Sequence, residues 1–208
     1  LNLSSNVVAH RLLQAGVQRG EVVTVYAHRG VDLVVAVLGV LKAGATFSVI
    51  DPTYPPSRQN IYLQVARPRA LVVLAKAGVL QPSVRQCIEH ELELRLEMPA
   101  LELRPDGSVH GGAVGGEDVL ASAQALAAQS TGVVLGPDSV ATLSFTSGST
   151  GIPKGVQGRH YSLTHFFPWM GERFQLSEND RFTMLSGIAH DPVSYTHPLM
   201  ARGRRVDL

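Results

Sequence analysis

Apolar residues follow two patterns along the start of the chain, a helical spacing and short continuous runs, and these patterns predict helices that alternate with strands. Residues 5–15 carry apolar side chains at helical spacing, with a serine available as N-cap and Gly16 as the stop. Residues 21–27 are a nearly continuous β-branched run, typical of a strand buried on both faces of a parallel sheet. A largely apolar helix over residues 31–42 and a strand over residues 46–50 complete a βαβ unit.

The same alternation continues after a proline-rich turn at residues 51–56. A helix is predicted from Pro56 through residue 66 and a strand over residues 70–74. This pattern predicts an α/β fold in which a wound, mostly parallel sheet with right-handed crossovers is flanked by helices.

The pattern weakens over residues 75–136, which we interpret as insertions at the edge of the sheet. The predicted elements here are a helix over residues 82–91, short strands over residues 92–96 and 101–103, and a glycine-rich turn over residues 111–116.

The segment from residue 141 to residue 155 joins a β-rich run to a loop rich in glycine and hydroxyl side chains. The glycines are Gly148, Gly151 and Gly155, and the hydroxyl residues are Thr146, Ser147, Ser149 and Thr150. Such a loop can wrap an anion with backbone N–H and hydroxyl groups. Lys154 adds a compact positive charge that suits phosphate. The segment therefore predicts a polyphosphate-binding loop.

Three alternatives compete with this interpretation. Glycine- and serine-rich runs also form flexible linkers, but a linker does not need a buried strand leading into it. A Walker A loop is excluded by spacing, because Lys154 precedes Gly155 and Val156 follows. Lys154 also remains open to interpretation as a solvated surface lysine.

Downstream of the loop the chain returns to regular structure. Residues 154–158 are predicted to be extended, residues 161–174 to form a helix kinked at Pro168, and residues 181–185 to form a strand. Residues 186–191 would follow the carboxyl end of that strand, where open α/β sheets bind ligands.

Composition adds mainly exclusions. A net charge of +1 gives no reason to expect a nucleic acid or a membrane surface as partner. The single cysteine, Cys87, cannot form an intrachain disulfide, so a reducing cytoplasmic location fits. Neither a signal peptide nor a membrane span is predicted. His10 and His28 are not spaced with Cys87 as metal ligands, so no metal site is expected.

Four stretches resemble a known superfamily. Residues 146–155 resemble the phosphate-loop signature of adenylate-forming enzymes, which include acyl-CoA ligases, luciferases and the adenylation domains of peptide synthetases. Residues 41–52 resemble the second signature of the amino-acid-activating members, and residues 158–163 and 182–192 resemble fungal L-2-aminoadipate reductases. The resemblance implies a partial adenylation domain, the N-terminal part of the large subdomain, over residues 1–192.

The resemblance also implies an ATP-dependent reaction in which a carboxylate attacks the α-phosphorus, giving an acyl adenylate and pyrophosphate. ATP with Mg²⁺ would be bound by Thr146, Ser147, Gly148, Ser149, Thr150, Gly151 and Lys154. Lys154, the catalytic candidate, would orient the loop as a cation. Asp191 would hold the α-ammonium group of L-2-aminoadipate, and His190 would contact the substrate or gate its tunnel. The alternatives are that Asp191 starts a turn with Pro192 and that His190 is packed or solvent-facing.

Residues 193–208 depart from the family pattern, so we expect a foreign or poorly ordered tail and a chain that alone fails to form adenylate. The family's carrier and reductase domains, which use phosphopantetheine and NADPH, are expected outside this sequence. Two rival interpretations remain: the adenylation domain of a nonribosomal peptide synthetase, and a non-catalytic remnant acting as an interaction module.

Overall fold

The computed structural model of the protein describes residues 1–146, 153–177, 179–183, 188–189 and 205–207. The helices are α1 (Asn2–Gln14), α2 (Val31–Lys42), α3 (Pro56–Ala66), α4 (Pro82–Glu91) and α5 (His160–Arg173). The longer strands are β1 (Val22–Tyr26), β2 (Thr46–Ile50), β3 (Ala70–Leu74), β4 (Leu96–Leu103), β8 (Val140–Thr146) and β9 (Lys154–Arg159). The shorter strands are β5 (Val109–His110), β6 (Ala113–Val114), β7 (Glu117–Asp118), β10 (Arg181–Thr183) and β11 (Arg205–Asp207).

A seven-stranded sheet organises this part of the chain, in the order β5-β4-β3-β1-β2-β8-β9. The strands from β4 to β8 in that order pair in parallel, whereas β5 and β9 pair antiparallel to their neighbours at the two edges. The predicted α/β fold with a mostly parallel sheet is therefore confirmed.

Both faces of this sheet are covered, which explains why β3 is apolar throughout and why β1 departs from this only at Thr24, whose hydroxyl pairs with that of Ser48 at 2.7 Å. Alternate residues such as Val23 and Val72 pack with α1 and α2 on one face. Leu71 and Val73 pack with α3 and α4 on the other face. A strand that is buried on both sides needs apolar residues at every position, not at every second one.

Helices α1 and α2 approach closely at Gly39. A Cβ atom built there would lie 2.5 Å from Cγ1 of Val8, so only glycine permits this approach. Lys42, in the last turn of α2, then joins the two helices through hydrogen bonds from Nζ to the Asn2 carbonyl and to side chains of α1.

Local details differ from the sequence expectations. The two short strands predicted over residues 92–96 and 101–103 are one strand, β4, because Leu96 to Leu101 pair along β3 with a register shift. Helix α1 begins at Asn2, where no side chain caps it. The hydroxyl of Ser5 instead donates to carbonyl oxygens of the first turn.

Three further expectations concern the end of the chain, helix α5 and the membrane. Residues 193–208 are described only at Arg205–Asp207, a strand that pairs in parallel with β10, so most of the predicted poorly ordered tail lies outside the described residues. Helix α5 continues through Pro168. None of the helices in the described part of the chain combines the length and apolar character needed to cross a membrane.

Candidate functional site

The glycine-rich segment is the connection between β8 and β9. Thr146 at the end of β8 pairs with Lys154 at the start of β9, and both residues are exposed. The predicted strand before the loop and extended segment after it are thus confirmed, and a loop whose ends pair with each other is not an interdomain linker. Ser147, Gly148, Ser149, Thr150 and Gly151 lie outside the described residues.

Gly155 belongs to β9, opposite Phe145, and not to the loop itself. A Cβ atom there would lie 3.0 Å from Cδ1 of Leu143 and 3.5 Å from Cγ1 of Val65 on α3. The missing side chain therefore lets the hairpin lie close against α3, at the point where the chain leaves the core.

The loop emerges at the carboxyl edge of the parallel strands. β8 pairs in parallel with β2 through Phe47 and Thr142, so Thr146 reaches the same level as Asp51. In open α/β sheets this edge is where ligands bind, above all where neighbouring strands send their crossovers in opposite directions. Here β1 connects to β2 on one side and β3 connects to β4 on the other, so β1 and β3 flank such a switch point.

A cleft of about 350 Å³ opens at this edge. Its lining comes from the segments that follow β1, β2 and β3, together with one residue from later in the chain: Ala27, His28, Arg29, Asp51, Pro52, Thr53, Ala77 and Ile188. Sequence reasoning treated His28 as an isolated histidine and missed this cleft, because its walls meet only through the strand order.

The segment that leads to the predicted substrate residues is anchored beside this cleft. Ile188 and Ala189 are 4% and 9% exposed and belong to the core with α1 and α2. His190 and Asp191, the next two residues, lie outside the described residues. The ends of the candidate phosphate loop and the residues that lead to the candidate substrate segment thus lie at one edge of the sheet.

Other residues singled out in the sequence have structural roles. Asp51 Oδ1 accepts hydrogen bonds from the backbone N–H of Thr53, at 2.9 Å, and from its hydroxyl, at 2.7 Å, so Asp51 stabilises the turn after β2. Cys87 is buried, and burial, with the nearby carboxylate of Glu91, raises the pKa of its thiol. Among the described residues, no group of three or more His, Cys, Asp or Glu side chains is arranged to hold a metal ion.

A hydroxyl- and glycine-rich loop at the carboxyl edge of a wound parallel sheet is typical of nucleotide-binding α/β enzymes. The chain belongs to the family of AMP-binding enzymes, whose family model matches residues 1–205.

Its similarity to individual proteins is high. It is 64% identical over 197 residues to the L-2-aminoadipate reductase large subunit of Penicillium chrysogenum, covering 93% of this chain and 14% of that protein. It is 65% identical over 192 residues to L-2-aminoadipate reductase of Schizosaccharomyces pombe, covering 91% of this chain and 14% of that protein. The chain therefore spans 14% of the length of these relatives.

A solved structure shares the fold. ATP-bound MatB from Rhodopseudomonas palustris superposes with a TM-score of 0.69 at 23% identity, over 99% of this chain and 38% of that chain. At this identity the likeness establishes the architecture and no more.

Proposed function

We propose that the whole protein to which these residues belong activates the side-chain carboxylate of L-2-aminoadipate with ATP. This is the first step of the reduction of that amino acid to its semialdehyde in lysine biosynthesis. The observation that carries the proposal is the hairpin: it holds the ends of a phosphate-loop sequence at the same sheet edge as the segment leading to His190 and Asp191. The choice of amino acid follows the 64–65% identity with L-2-aminoadipate reductases.

The reaction balances as a nucleotidyl transfer. A carboxylate oxygen of the substrate forms a bond to the α-phosphorus, the bond from that phosphorus to the bridging oxygen of the β-phosphate breaks, and pyrophosphate leaves. The protein then contributes mainly by positioning the reactants and stabilising charge.

The loop residues are assigned to the phosphates. In this proposal the hydroxyl and backbone N–H groups of Thr146, Ser147, Gly148, Ser149, Thr150 and Gly151 bind the triphosphate. Lys154 is exposed at the foot of the loop, directly opposite Thr146, where an ammonium group can neutralise the departing pyrophosphate without acting as a base.

Asp191 and His190 are assigned to the amino acid. The carboxylate of Asp191 would accept a charge-assisted hydrogen bond from the α-ammonium group of the substrate, and His190 would line the same pocket. The support comes from position in the chain, because Ile188 and Ala189 directly precede these two residues and are buried at the edge of the sheet.

Cofactors beyond ATP belong to the same proposal. Mg²⁺ would enter bound to the triphosphate, and none of the described residues is assigned to it as a ligand. The later steps would need a phosphopantetheine thiol on a carrier domain as the acyl acceptor, with release of AMP, and NADPH as the hydride donor. None of the described residues is assigned to those later steps, and the reaction is placed in the cytoplasm with neither nucleic acid nor membrane as partner.

ATP–pyrophosphate exchange by the whole protein tests the proposal. Exchange should depend on L-2-aminoadipate, and adipate, which lacks the α-ammonium group, should be a poorer substrate by about 10- to 150-fold in kcat/KM. Asp191→Asn should reduce this discrimination. Exchange driven best by another amino acid would favour a peptide-synthetase adenylation domain, and no exchange with any amino acid would favour a non-catalytic module.

A further inference from the structure

A row of stacked side chains connects the turn after β2 with the end of β8. We call it the aromatic column; it comprises Tyr54, Arg58, Tyr62 and Phe145. The rings of Tyr62 and Phe145 stack with centroids 4.1 Å apart and an interplanar angle of 7°. The ring of Tyr54 meets Tyr62 edge-on at 6.0 Å.

Arg58 ties the column together. Its guanidinium carbon lies 4.5 Å from the ring centroid of Tyr54 and 5.5 Å from that of Tyr62. Its Nε–H donates a hydrogen bond of 2.9 Å to the Tyr62 hydroxyl. A cation over a ring face and a charge-assisted hydrogen bond to the same side chain together restrict how Tyr62 can move.

The upper end of the column is the last core residue before the phosphate loop. Phe145 is 6% exposed and directly precedes Thr146. Phe145 pairs across the hairpin with Gly155, which has no side chain. Lys154 directly precedes Gly155 in the chain. The position of Phe145 therefore determines where both ends of the loop leave the sheet.

Tyr62 and Tyr54, the other two rings of the column, are also held in place. Tyr62 is 2% exposed within the core that α3 shares with β8. The backbone carbonyl of Tyr54 accepts a hydrogen bond of 2.7 Å from Nε2 of Gln59, a fully buried side chain.

We propose that the aromatic column positions the phosphate loop and so sets the affinity for ATP without any of its members touching the nucleotide. The inference rests on the proposed function, since it assigns a support to that same site. The ring stack of Tyr62 on Phe145 is the contact that reaches the residue next to the loop, and the Arg58 contact holds Tyr62 from the other side. The column therefore acts as a rigid link from α3 to Thr146 and Lys154.

The test compares three variants of the whole protein in ATP–pyrophosphate exchange. Tyr62→Leu removes the ring stack, Tyr62→Phe keeps the ring but removes the Arg58 contact, and Val84→Ala is the matched control. Val84 is 1% exposed in the same core on α4, which joins β3 to β4, and β1 and β2 lie between β3 and β8 in the sheet. Loss of folded protein alone would lower kcat in all three without changing the KM for ATP.

Tyr62→Leu should raise the KM for ATP about tenfold while leaving the KM for the amino acid within about twofold. The KM values of Tyr62→Phe for both substrates should stay within about threefold of those of the wild type, because this conservative change keeps the ring stack. Val84→Ala should lower the melting temperature and leave both KM values unchanged.

An unchanged KM for ATP in Tyr62→Leu, or equal changes in both KM values, would overturn the positioning role while leaving the proposed function intact. Absence of exchange by the wild type would instead contradict the proposed function and this inference with it.

Discussion

The pairing of β8 with β9 predicts a specific clash that one substitution creates and another relieves. Gly158 in β9 lies opposite Thr142 in β8, which is 4% exposed. A Cβ atom at position 158 would lie 2.3 Å from Oγ1 of Thr142 but 3.6 Å from its Cβ. The hydroxyl is therefore the obstacle, and an alanine at position 142 would leave an ordinary van der Waals contact.

The magnitudes follow from these distances. Gly158→Ala must rotate the Thr142 side chain or separate the strands, and overpacking of this kind costs about 1 to 3 kcal/mol. Thr142→Ala alone loses a buried methyl group and strand propensity, about 1 to 2 kcal/mol. In the double variant the clash is gone, so it should be no less stable than Thr142→Ala alone. The coupling energy is then about 1 to 3 kcal/mol in the stabilising direction.

Urea unfolding of the four proteins, followed by circular dichroism, measures this coupling, and an unchanged m value shows that the midpoints report stability. Gly136→Ala is the control, because nothing lies within 4 Å of a Cβ there, and it should change stability by about 0.5 kcal/mol or less. Additive effects of the two substitutions, within about 0.5 kcal/mol, would refute the Thr142–Gly158 register and with it the position of the loop.

Further predictions concern the rest of the described structure. Burial lowers the pKa of His160 below its usual 6.5, so protonation opposes folding and stability should fall as pH drops through about 6.5. In His160→Gln this decline between pH 7.5 and 5.5 should be smaller in urea titrations; equal slopes would contradict the assignment. Asp32→Ala should cost about 1 to 3 kcal/mol of unfolding free energy, because the backbone N–H of Leu103 loses its acceptor at 2.7 Å, and an unchanged urea midpoint would refute this. Lys42→Met should lower the melting temperature, since its ammonium group bridges α1 and α2, whereas an unaltered melting temperature would show that the bridge contributes nothing.

Those parts of the fold that depend on local pattern could be predicted from the sequence. β3 is buried along its whole length, as its continuous apolar run implies, and the prolines at the start of α3 and α4 mark where those helices begin. The hairpin strands around the loop follow from the same local reasoning.

Features that depend on tertiary pairing could not be predicted in this way. β4 is a single strand although it contains Pro99, because Pro99 lies where β4 shifts register against β3, and such an irregularity tolerates a proline. The cleft joins Ala27, Asp51 and Ala77 only because β1 lies between β3 and β2. The aromatic column likewise joins residues far apart in the chain.

In the proposed function, the loop between β8 and β9 binds the triphosphate of ATP. The most direct measurement is pyrophosphate exchange by the whole protein carrying Lys154→Ala together with Gly148→Ala, compared with Arg159→Ala. Arg159→Ala is the matched control because it removes a cation from the other end of β9, where Arg159 forms an exposed ion pair with Asp138. We predict a loss of about a hundredfold or more for the double variant and less than about twofold for the control. Exchange at the wild-type rate in the double variant would contradict the claim.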